Sequence, residues 1–269
     1  MGADIKALRI RIKSVDSTLH LTKAMGLVAS SKIRRANEAM KKGREYTAAL
    51  DGFIASLTQS SECQRSPFMR TVGEDISRTR IIVIAGDRGL AGGYNANVFR
   101  LAAEYKGAEF IPIGKRACDK YRAAQNSSER YSAEEAYALA KSLTADFAEG
   151  RFDRLAIIST KYQSMMTQTA TITWILPLTR VENADPTGMI FEPDELTVLN
   201  AVMPEYVAGK IVGALRESFA SEVAARRMAM DSAGKNATAM IDDLQLKYNR
   251  ARQGAITQEI TEIVAGAGE

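Results

Sequence analysis

"IKALRIRIKSVDSTLHLTKAMGLVASSKIRRANEAM", residues 5–40, is the stretch that decides the fold. Apolar or small side chains recur in it at alternating steps of three and four residues, and the register continues to residue 57. The positions in register are Ile5, Leu8, Ile12, Val15, Leu19, Thr22, Gly26, Ala29, Ile33, Ala36, Met40, Gly43, Thr47, Leu50, Ile54 and Leu57. Because no proline occurs before residue 67, this sustained heptad pattern predicts a coiled-coil helix over 5–57.

A second long helix is predicted at the other end of the chain, from about Pro204 to Ala265. Proline suits the first turn of a helix, where its missing N–H is not needed. One apolar seam on this helix comprises Met230, Ala233, Ala237, Met240, Leu244, Tyr248, Ala251 and Ala255. At 1.5 Å per residue the two helices would be about 80 and 90 Å long, which exceeds the size of one compact domain. We therefore expect an antiparallel coiled coil of the two terminal helices that projects in part from its own domain.

Near the C-terminus the apolar face of the second helix changes position. It moves to Ile256, Ile260, Ile263 and Val264, which do not continue the preceding seam. An apolar face of this kind marks an interaction surface when it is exposed to water. The sequence predicts a tip that packs against something other than the first helix.

The central residues alternate between strand and helix signals. The short apolar runs 81–85, 109–113 and 154–159 fit a parallel sheet that is buried on both faces, and 169–176 is predicted as a further strand. Helical segments are predicted near 95–105, 115–124 and 133–148, the last with a capping box from Ser132 to Glu135, and a turn is predicted at 182–188. The predicted fold class is α/β, with a small Rossmann-like α/β domain at 61–195 between a helix at 1–60 and a helix at 196–269.

Charge is distributed unevenly along the chain. Residues 1–44 carry eleven basic and three acidic side chains, a net charge of +8, whereas the whole chain has a net charge of +4. Such a basic end suggests an acidic partner, which is a nucleic acid, an anionic membrane or an acidic protein surface. The chain has no apolar run near the roughly 20 residues of a membrane span and no N-terminal signal core, so we expect neither a span nor secretion. Cys63 and Cys118 have no CxxC spacing, as expected for a reduced intracellular compartment.

The stretch "AGDRGLAGGYN", residues 85–95, follows a predicted buried strand and is rich in glycine. A Walker loop requires GxxxxGK followed by Ser or Thr, and a dinucleotide fingerprint requires GxGxxG. Neither spacing is present, and no lysine follows before Lys106. We expect a tight strand-to-helix connection in which Asp87 and Arg88 contact partners or neighbouring loops, and nucleotide binding remains the alternative.

Residues for other chemistry are scarce. The sequence contains no HExxH and no GxSxG motif, and its single histidine, His20, has no cysteine or acidic cluster beside it. We therefore expect no catalytic site, no metal and no cofactor in this chain.

Three stretches carry a resemblance to a known family. "RIKSVDSTLHLTKAMGLVASSKIRRA" (11–36), "GDRGLAGGYN" (86–95) and the region 217–267, especially "YNRARQGAITQEITEI" (248–263), resemble the γ subunits of F-type ATP synthases. The resemblance implies an antiparallel coiled coil with an α/β foot that couples proton or sodium flow to ATP synthesis and has no active site. It implies as partners the α and β subunits of the ATPase ring, the ε subunit and the membrane c-ring, at the cytoplasmic face of a bacterial inner membrane.

The resemblance also assigns contact positions along the two helices. Met25 matches a shaft methionine that faces a β subunit, and Arg226 matches a basic position on the facing helix. Arg252 and Gln253 match a pair that hydrogen-bonds a β loop. The apolar residues Ile256 and Ile260 complete the expected partner surface, as the tip that sits in an apolar bearing.

Two other functions remain open at this point. The basic N-terminal segment is compatible with a coiled coil that binds nucleic acid, although no basic and aromatic interleaving or base-reading module is present. The glycine-rich loop is compatible with a nucleotide-binding α/β enzyme.

Overall fold

The computed structural model describes residues 2–71, 78–180 and 190–266; the turn predicted at 182–188 lies outside them. The elements in chain order are α1 (Gly2–Thr58), β1 (Thr79–Ile84), α2 (Tyr94–Ala102), β2 (Glu109–Ile113), α3 (Lys115–Tyr121), α4 (Ala133–Ala148), β3 (Arg154–Tyr162), β4 (Gln168–Leu176) and α5 (Glu195–Gly266). Two short 3₁₀ helices, Cys63–Arg65 and Pro67–Met69, follow α1. The predicted α/β class with two long terminal helices is confirmed. The chain divides into two compact units, residues 1–31 with 226–269, and residues 32–225.

The first unit pairs the start of α1 with the part of α5 that follows residue 226, in antiparallel order. A Cβ atom added at Gly26 would lie 3.6 Å from the Cβ of Met230, and one added at Gly234 would lie 3.8 Å from the Cδ1 of Leu19. Residue numbers on α5 therefore fall as those on α1 rise. The buried seam residues of this unit are Leu19, Thr22, Gly26 and Ala29 on α1 and Met230, Ala237 and Leu244 on α5. The predicted seam is confirmed on α1, and its small residues allow the two helices to approach closely.

One predicted seam position on α5 is wrong. Met240 is 45% exposed, and the half-buried residue at that level is Ile241. The reason is the heptad register, because steps of four and three from Ala237 to Leu244 pass through position 241.

The second unit contains a four-stranded sheet with the order β2-β1-β3-β4. β1 is parallel to both β2 and β3, which confirms the predicted parallel sheet, and β4 is antiparallel to β3. Only residues 163–167 join β3 to β4. Such a turn is too short for the crossover that a parallel neighbour requires, so the fourth strand returns as a hairpin.

Both faces of this sheet are covered by helices. Ile82, Ile84 and Ile157 pack on the side of α1, α4 and α5, whereas Ile81 and Val83 pack on the side of α2 and α3. All five side chains are at most 1% exposed. Burial of an isoleucine side chain contributes about 1.5–3 kcal/mol, and burial on both faces explains why these strands are continuous apolar runs.

The predicted start of the C-terminal helix near Pro204 is wrong. The helix begins at Glu195, and Pro204 is in its interior. The carboxylate of Asp194 caps the helix, since Oδ1 accepts from the backbone N–H of Thr197 at 2.8 Å and Oδ2 from the Thr197 hydroxyl at 2.8 Å. The backbone hydrogen bond from Thr197 lowers the pKa of Asp194. The fully buried side chains of Met203 and Val207 offset the hydrogen bond that an interior proline removes.

Candidate functional site

The glycine-rich loop connects the carboxyl end of β1 to α2, where ligands often bind in open α/β sheets. In this chain the carboxylate of Asp87 lies among hydrogen-bond donors from two other segments. Its Oδ1 accepts from the backbone N–H groups of Lys115 at 3.1 Å and Ser128 at 2.9 Å, and from the Ser128 hydroxyl at 3.2 Å. Its Oδ2 accepts from the Ser127 hydroxyl at 2.5 Å and from the N–H of Glu129 at 3.2 Å. The predicted contact of Asp87 with a neighbouring loop is therefore present.

These hydrogen bonds keep Asp87 ionised. Burial alone would raise the pKa of this carboxyl group, but the hydrogen bonds from Ser127, Lys115, Ser128 and Glu129 lower it, and the net change is downward. The donors that could hold a bound phosphate oxygen are thus used by the chain's own carboxylate. The arrangement favours the structural interpretation of the loop over nucleotide binding.

The first glycine of the loop is in close contact with α5. A Cβ atom at Gly86 would lie 2.7 Å from the carboxyl carbon of Glu222, a side chain that is only 5% exposed. Nearby, the hydroxyl of Tyr94 donates to the carbonyl of Ser218 at 3.1 Å, and the Ser218 hydroxyl accepts from the N–H of Thr160 at 3.2 Å. The loop, the end of β3 and α5 are therefore held together by close packing and hydrogen bonds.

The tip of the loop faces solvent. The side chain of Arg88 is exposed, and its carbonyl oxygen accepts from the side-chain amide of Asn95 at 3.3 Å. Leu90 is 62% exposed and has a positive φ of 60°, which is uncommon for a non-glycine residue. The surface that this loop offers to a partner is therefore Arg88 and Leu90, and not Asp87.

The predicted contact residues on the helices occupy two levels of the first unit. Met25 and Arg226 are half-buried on α1 and α5, next to the contact between Gly26 and Arg227. Since the Cβ of Met230 lies opposite Gly26, Met25 and Arg226 are about one helical turn apart along the helix pair. Arg252 lies 26 residues farther along α5, or about 39 Å at 1.5 Å per residue, and is not part of that level.

The end of α5 is open to solvent. Arg252 and Gln253 are exposed, and so are four apolar side chains, which are Ile256 (48%), Ile260 (56%), Ile263 (65%) and Val264 (67%). Within the residues that the structure describes, nothing buries this apolar face. It is the strongest candidate for a partner surface on the molecule.

Sequence reasoning missed a second set of exposed apolar residues. Ile10, Leu21, Leu27 and Val28 on α1 are each more than half exposed. All four lie off the heptad seam, and this departure from the seam was the signal available in the sequence.

Two further features concern a metal site and a membrane span. No group of three or more His, Cys, Asp or Glu residues suited to a metal ion occurs within 2–71, 78–180 and 190–266. Among the described residues one helix, α5, could cross a membrane by length and composition. Of the relevant 18-residue window 44% is buried in the chain, and core helices of soluble proteins meet the same criterion.

Comparison with known proteins gives a consistent result. The family model described as ATP synthase matches residues 4–268. The ATP synthase gamma chain of Stenotrophomonas maltophilia (strain R551-3) is 39% identical over 281 residues, covering 97% of this chain and 98% of the relative. The sodium ion specific ATP synthase gamma chain of Acetobacterium woodii is 36% identical over 303 residues, with 99% of each chain covered.

Solved structures share the fold. A chain of the Euglena gracilis mitochondrial ATP synthase, in a structure of OSCP, F1 and the c-ring, has a TM-score of 0.69 at 17% identity, covering 98% of this chain and 94% of that one. A chain of the Tetrahymena thermophila central stalk and c-ring structure has a TM-score of 0.61 at 22% identity, covering 79% and 99%. With the full-length sequence matches, the paired terminal helices and the four-stranded α/β sheet, the chain belongs to the ATP synthase γ chain family.

Proposed function

We propose that this chain is the central rotor stalk of an F-type ATP synthase and couples ion flow through the membrane ring to ATP synthesis on the β subunits. The exposed end of α5 is the observation that carries the proposal. Four apolar side chains there are 48–67% exposed in the isolated chain, next to the guanidinium of Arg252 and the amide of Gln253. A surface of this composition suits a shaft that turns inside a sleeve of other subunits.

The expected partners follow from the family. The α and β subunits would surround the helices, with Met25 and Arg226 at one level and Arg252 and Gln253 at another, while Ile256 and Ile260 sit in an apolar bearing. The α/β foot, residues 61–195, would bind the ε subunit and the c-ring, and Arg88 at the tip of the glycine-rich loop would offer a further contact, while Asp87 holds that loop in place. We further propose that the chain is a peripheral protein of the membrane-bound complex, at the cytoplasmic face of a bacterial inner membrane.

The chain itself is not a catalyst in this scheme. Its work is to favour different conformations of the β subunits at different rotor angles, which is a coupling free energy between sites. The basic segment 1–44 and the exposed residues of α1 serve an acidic protein surface in this account, and not a nucleic acid.

The experiment tests a division of labour at the end of α5, in which Arg252 makes a directional polar contact with a β subunit and the isoleucine face makes only non-directional apolar contacts. Arg252 makes no ion pair within the described part of the chain, so Arg252→Ala leaves the fold of the isolated subunit unchanged. In the assembled complex it removes a charged hydrogen bond worth about 1.5–3 kcal/mol in some rotor states, and coupled turnover falls. Ile260→Val changes turnover little, because a non-directional apolar contact tolerates the loss of one methyl group.

The measurement is ATP hydrolysis and ion pumping by reconstituted complexes at equal assembly. Arg250→Ala is the matched control, because Arg250 is an exposed arginine on the same helix and points away from the face of Arg252. Equal damage from Arg252→Ala and Ile260→Val would disprove the division of labour. Failure of the chain to copurify with a ring of ATPase subunits, in one copy per complex, would disprove the rotor role.

A further inference from the structure

A small polar cavity lies in the second unit, between one face of the sheet and the two long helices. Its volume is about 210 Å³. The polar side chains that line it come from three sources, which are Arg44 and Thr47 on α1, Ser159, Lys161 and Thr173 on the β3–β4 hairpin, and Lys210 on α5. Three cationic and three hydroxyl side chains thus line one half-open cavity.

Close packing of α1 against α5 fixes one wall of this cavity. Gly213 of α5 lines the cavity, and a Cβ atom added there would lie 2.6 Å from Cγ2 of Thr47. The helices therefore cannot separate or slide without disturbing the wall.

The cations exceed their carboxylate partners by one charge. Nη2 of Arg44 lies 2.6 Å from Oε1 of Glu217, which also lines the cavity, and 2.6 Å from the carbonyl oxygen of Tyr162. Nζ of Lys210 lies 2.7 Å from each oxygen of Asp51. Lys161 forms no ion pair with any residue of the described ranges. Three cations therefore face two carboxylates, and the charge left over is that of Lys161.

A buried hydroxyl beside the cavity also lacks a partner. Oγ1 of Thr171 is buried and makes no hydrogen bond to the described part of the chain. Thr171 is directly opposite Ser159 in the antiparallel register, and directly opposite residues lie on the same face of a sheet. Thr173 follows two residues later and lies on that face as well. Because buried polar groups are normally hydrogen-bonded to protein, water or a ligand, the Thr171 hydroxyl is available to a water molecule or a ligand on this face of the sheet.

Volume limits what the occupant can be. Pockets for organic ligands usually measure about 300–1,000 Å³, so the cavity is too small for a nucleotide. A water molecule takes up about 30 Å³, and the cavity has room for about seven waters, or for one ion of a few heavy atoms with some water. The excess of positive charge and the row of hydroxyl donors select an anion over a cation.

We propose that this cavity binds inorganic phosphate or another tetrahedral oxyanion of the same size. Lys161 supplies the uncompensated charge, Ser159 and Thr173 donate hydroxyl hydrogen bonds, and the N–H groups of Arg44 that do not face Glu217 complete the site. The bound ion bridges the β3–β4 hairpin to α1, and it therefore stabilises the second unit.

The test measures phosphate binding by the purified full chain. Equilibrium dialysis with labelled inorganic phosphate is expected to give saturable binding of one ion per chain. At constant ionic strength, phosphate at about five times its dissociation constant raises Tm by roughly 2–4 °C over chloride. Lys161→Gln weakens phosphate binding about tenfold or more, because it removes one charge-assisted hydrogen bond.

Lys141→Gln is the matched control, because it removes an exposed lysine of the same unit away from the cavity and is expected to leave phosphate binding unchanged. Ser159→Ala removes one donor without adding volume and should weaken binding while the chain stays folded in chloride. Sulfate should compete with phosphate, and ADP should not.

Four results would overturn the proposal: no saturable binding, equal stabilisation by phosphate and chloride, equal losses in Lys161→Gln and Lys141→Gln, or competition by ADP. The first two would mean that the cavity holds water only. The experiment needs no partner subunit, so its outcome is independent of the rotor role.

Discussion

Replacement of Asp87 by asparagine tests whether the glycine-rich loop is held by an internal carboxylate. The variant has nearly the same shape, but it loses the negative charge and one of its two acceptor oxygens. With the amide oxygen in the place of Oδ1, the three contacts to Lys115 and Ser128 remain as neutral hydrogen bonds. The amide NH₂ then replaces Oδ2, where Ser127 and Glu129 donate at 2.5 and 3.2 Å. The Ser127 hydroxyl can rotate to accept, but the backbone N–H of Glu129 is left facing another donor.

The expected loss of stability follows from these contacts. A hydrogen bond to a charged group contributes about 1.5–3 kcal/mol, a neutral one about 0.5–1.5 kcal/mol, and an unsatisfied buried donor costs about 1–3 kcal/mol. Because the site is only half-buried and the terms are not additive, we expect Asp87→Asn to lower the free energy of unfolding by about 2–4 kcal/mol at pH 7. In thermal unfolding of the full chain this is a fall in Tm of roughly 4 °C or more.

The pH dependence of the unfolding temperature provides a second, independent test of the role of Asp87. The pKa of Asp87 is lower in the folded chain than its usual value of 3.8. The ionised group therefore stabilises the fold above about pH 4, and this contribution is lost as the pH falls through the depressed pKa. The difference in Tm between the wild type and Asp87→Asn should be constant from pH 7 to 5 and should shrink below pH 4.

Asp119→Asn is the control, because Asp119 lies on α3 and its carboxylate accepts one hydrogen bond from the described residues, from the side-chain amide of Gln125 at 2.8 Å. It should change Tm by about 1 °C or less. If Asp87→Asn unfolds at the temperature of Asp119→Asn at pH 7, or if the difference persists unchanged into acid, the carboxylate does not hold the loop.

Three further substitutions test the helix packing and the loop tip. Gly26→Ala should stabilise the chain by up to about 1 kcal/mol, because the new Cβ would lie 3.3 Å from the flexible end of Arg227; a clear fall in Tm would contradict this. Gly213→Ala should destabilise it by about 1–3 kcal/mol, because the new Cβ would lie 2.6 Å from Cγ2 of Thr47, and the same assay compares the two variants side by side. Arg88→Ala should alter assembly or turnover and leave the nucleotide content of the complex unchanged, and the loss of one bound nucleotide per chain would support the enzyme interpretation instead.

The heptad seam explains why so much of the fold could be predicted. A position on a long helix is buried or exposed according to its place in a repeat, so the pattern from Ile5 to Leu57 is enough to predict which side chains of α1 are buried. Every position named in that seam is buried or half-buried in the structure. The same reasoning failed at Met240, because the predicted seam was one residue out of register there and the buried seam passes through Ile241.

The start of α5 could not be read from local sequence. A proline in the interior of a helix costs about 3 kcal/mol, and this cost argued for a helix that begins at Pro204. The ten residues from Glu195 to Pro204 are helical because Leu199 and Met203 are fully buried in the core of the second unit. That burial depends on strands and helices far away in the chain, and no window around Pro204 reveals it.

The role of the glycine-rich loop also could not be predicted from local sequence, because it depends on what packs against the loop. Glycines after a buried strand occur where a phosphate approaches the backbone, and they occur equally where another part of the protein approaches it. In this chain the group that approaches Gly86 closely is the buried carboxyl group of Glu222 on α5. The hydrogen-bond donors beside the loop are occupied by the carboxylate of Asp87. A loop that binds a nucleotide must leave both the space next to its glycine and the nearby hydrogen-bond donors free for the phosphate. The loop of this chain instead packs the sheet against the long helix. A subunit that transmits force from its sheet to α5 requires such a contact.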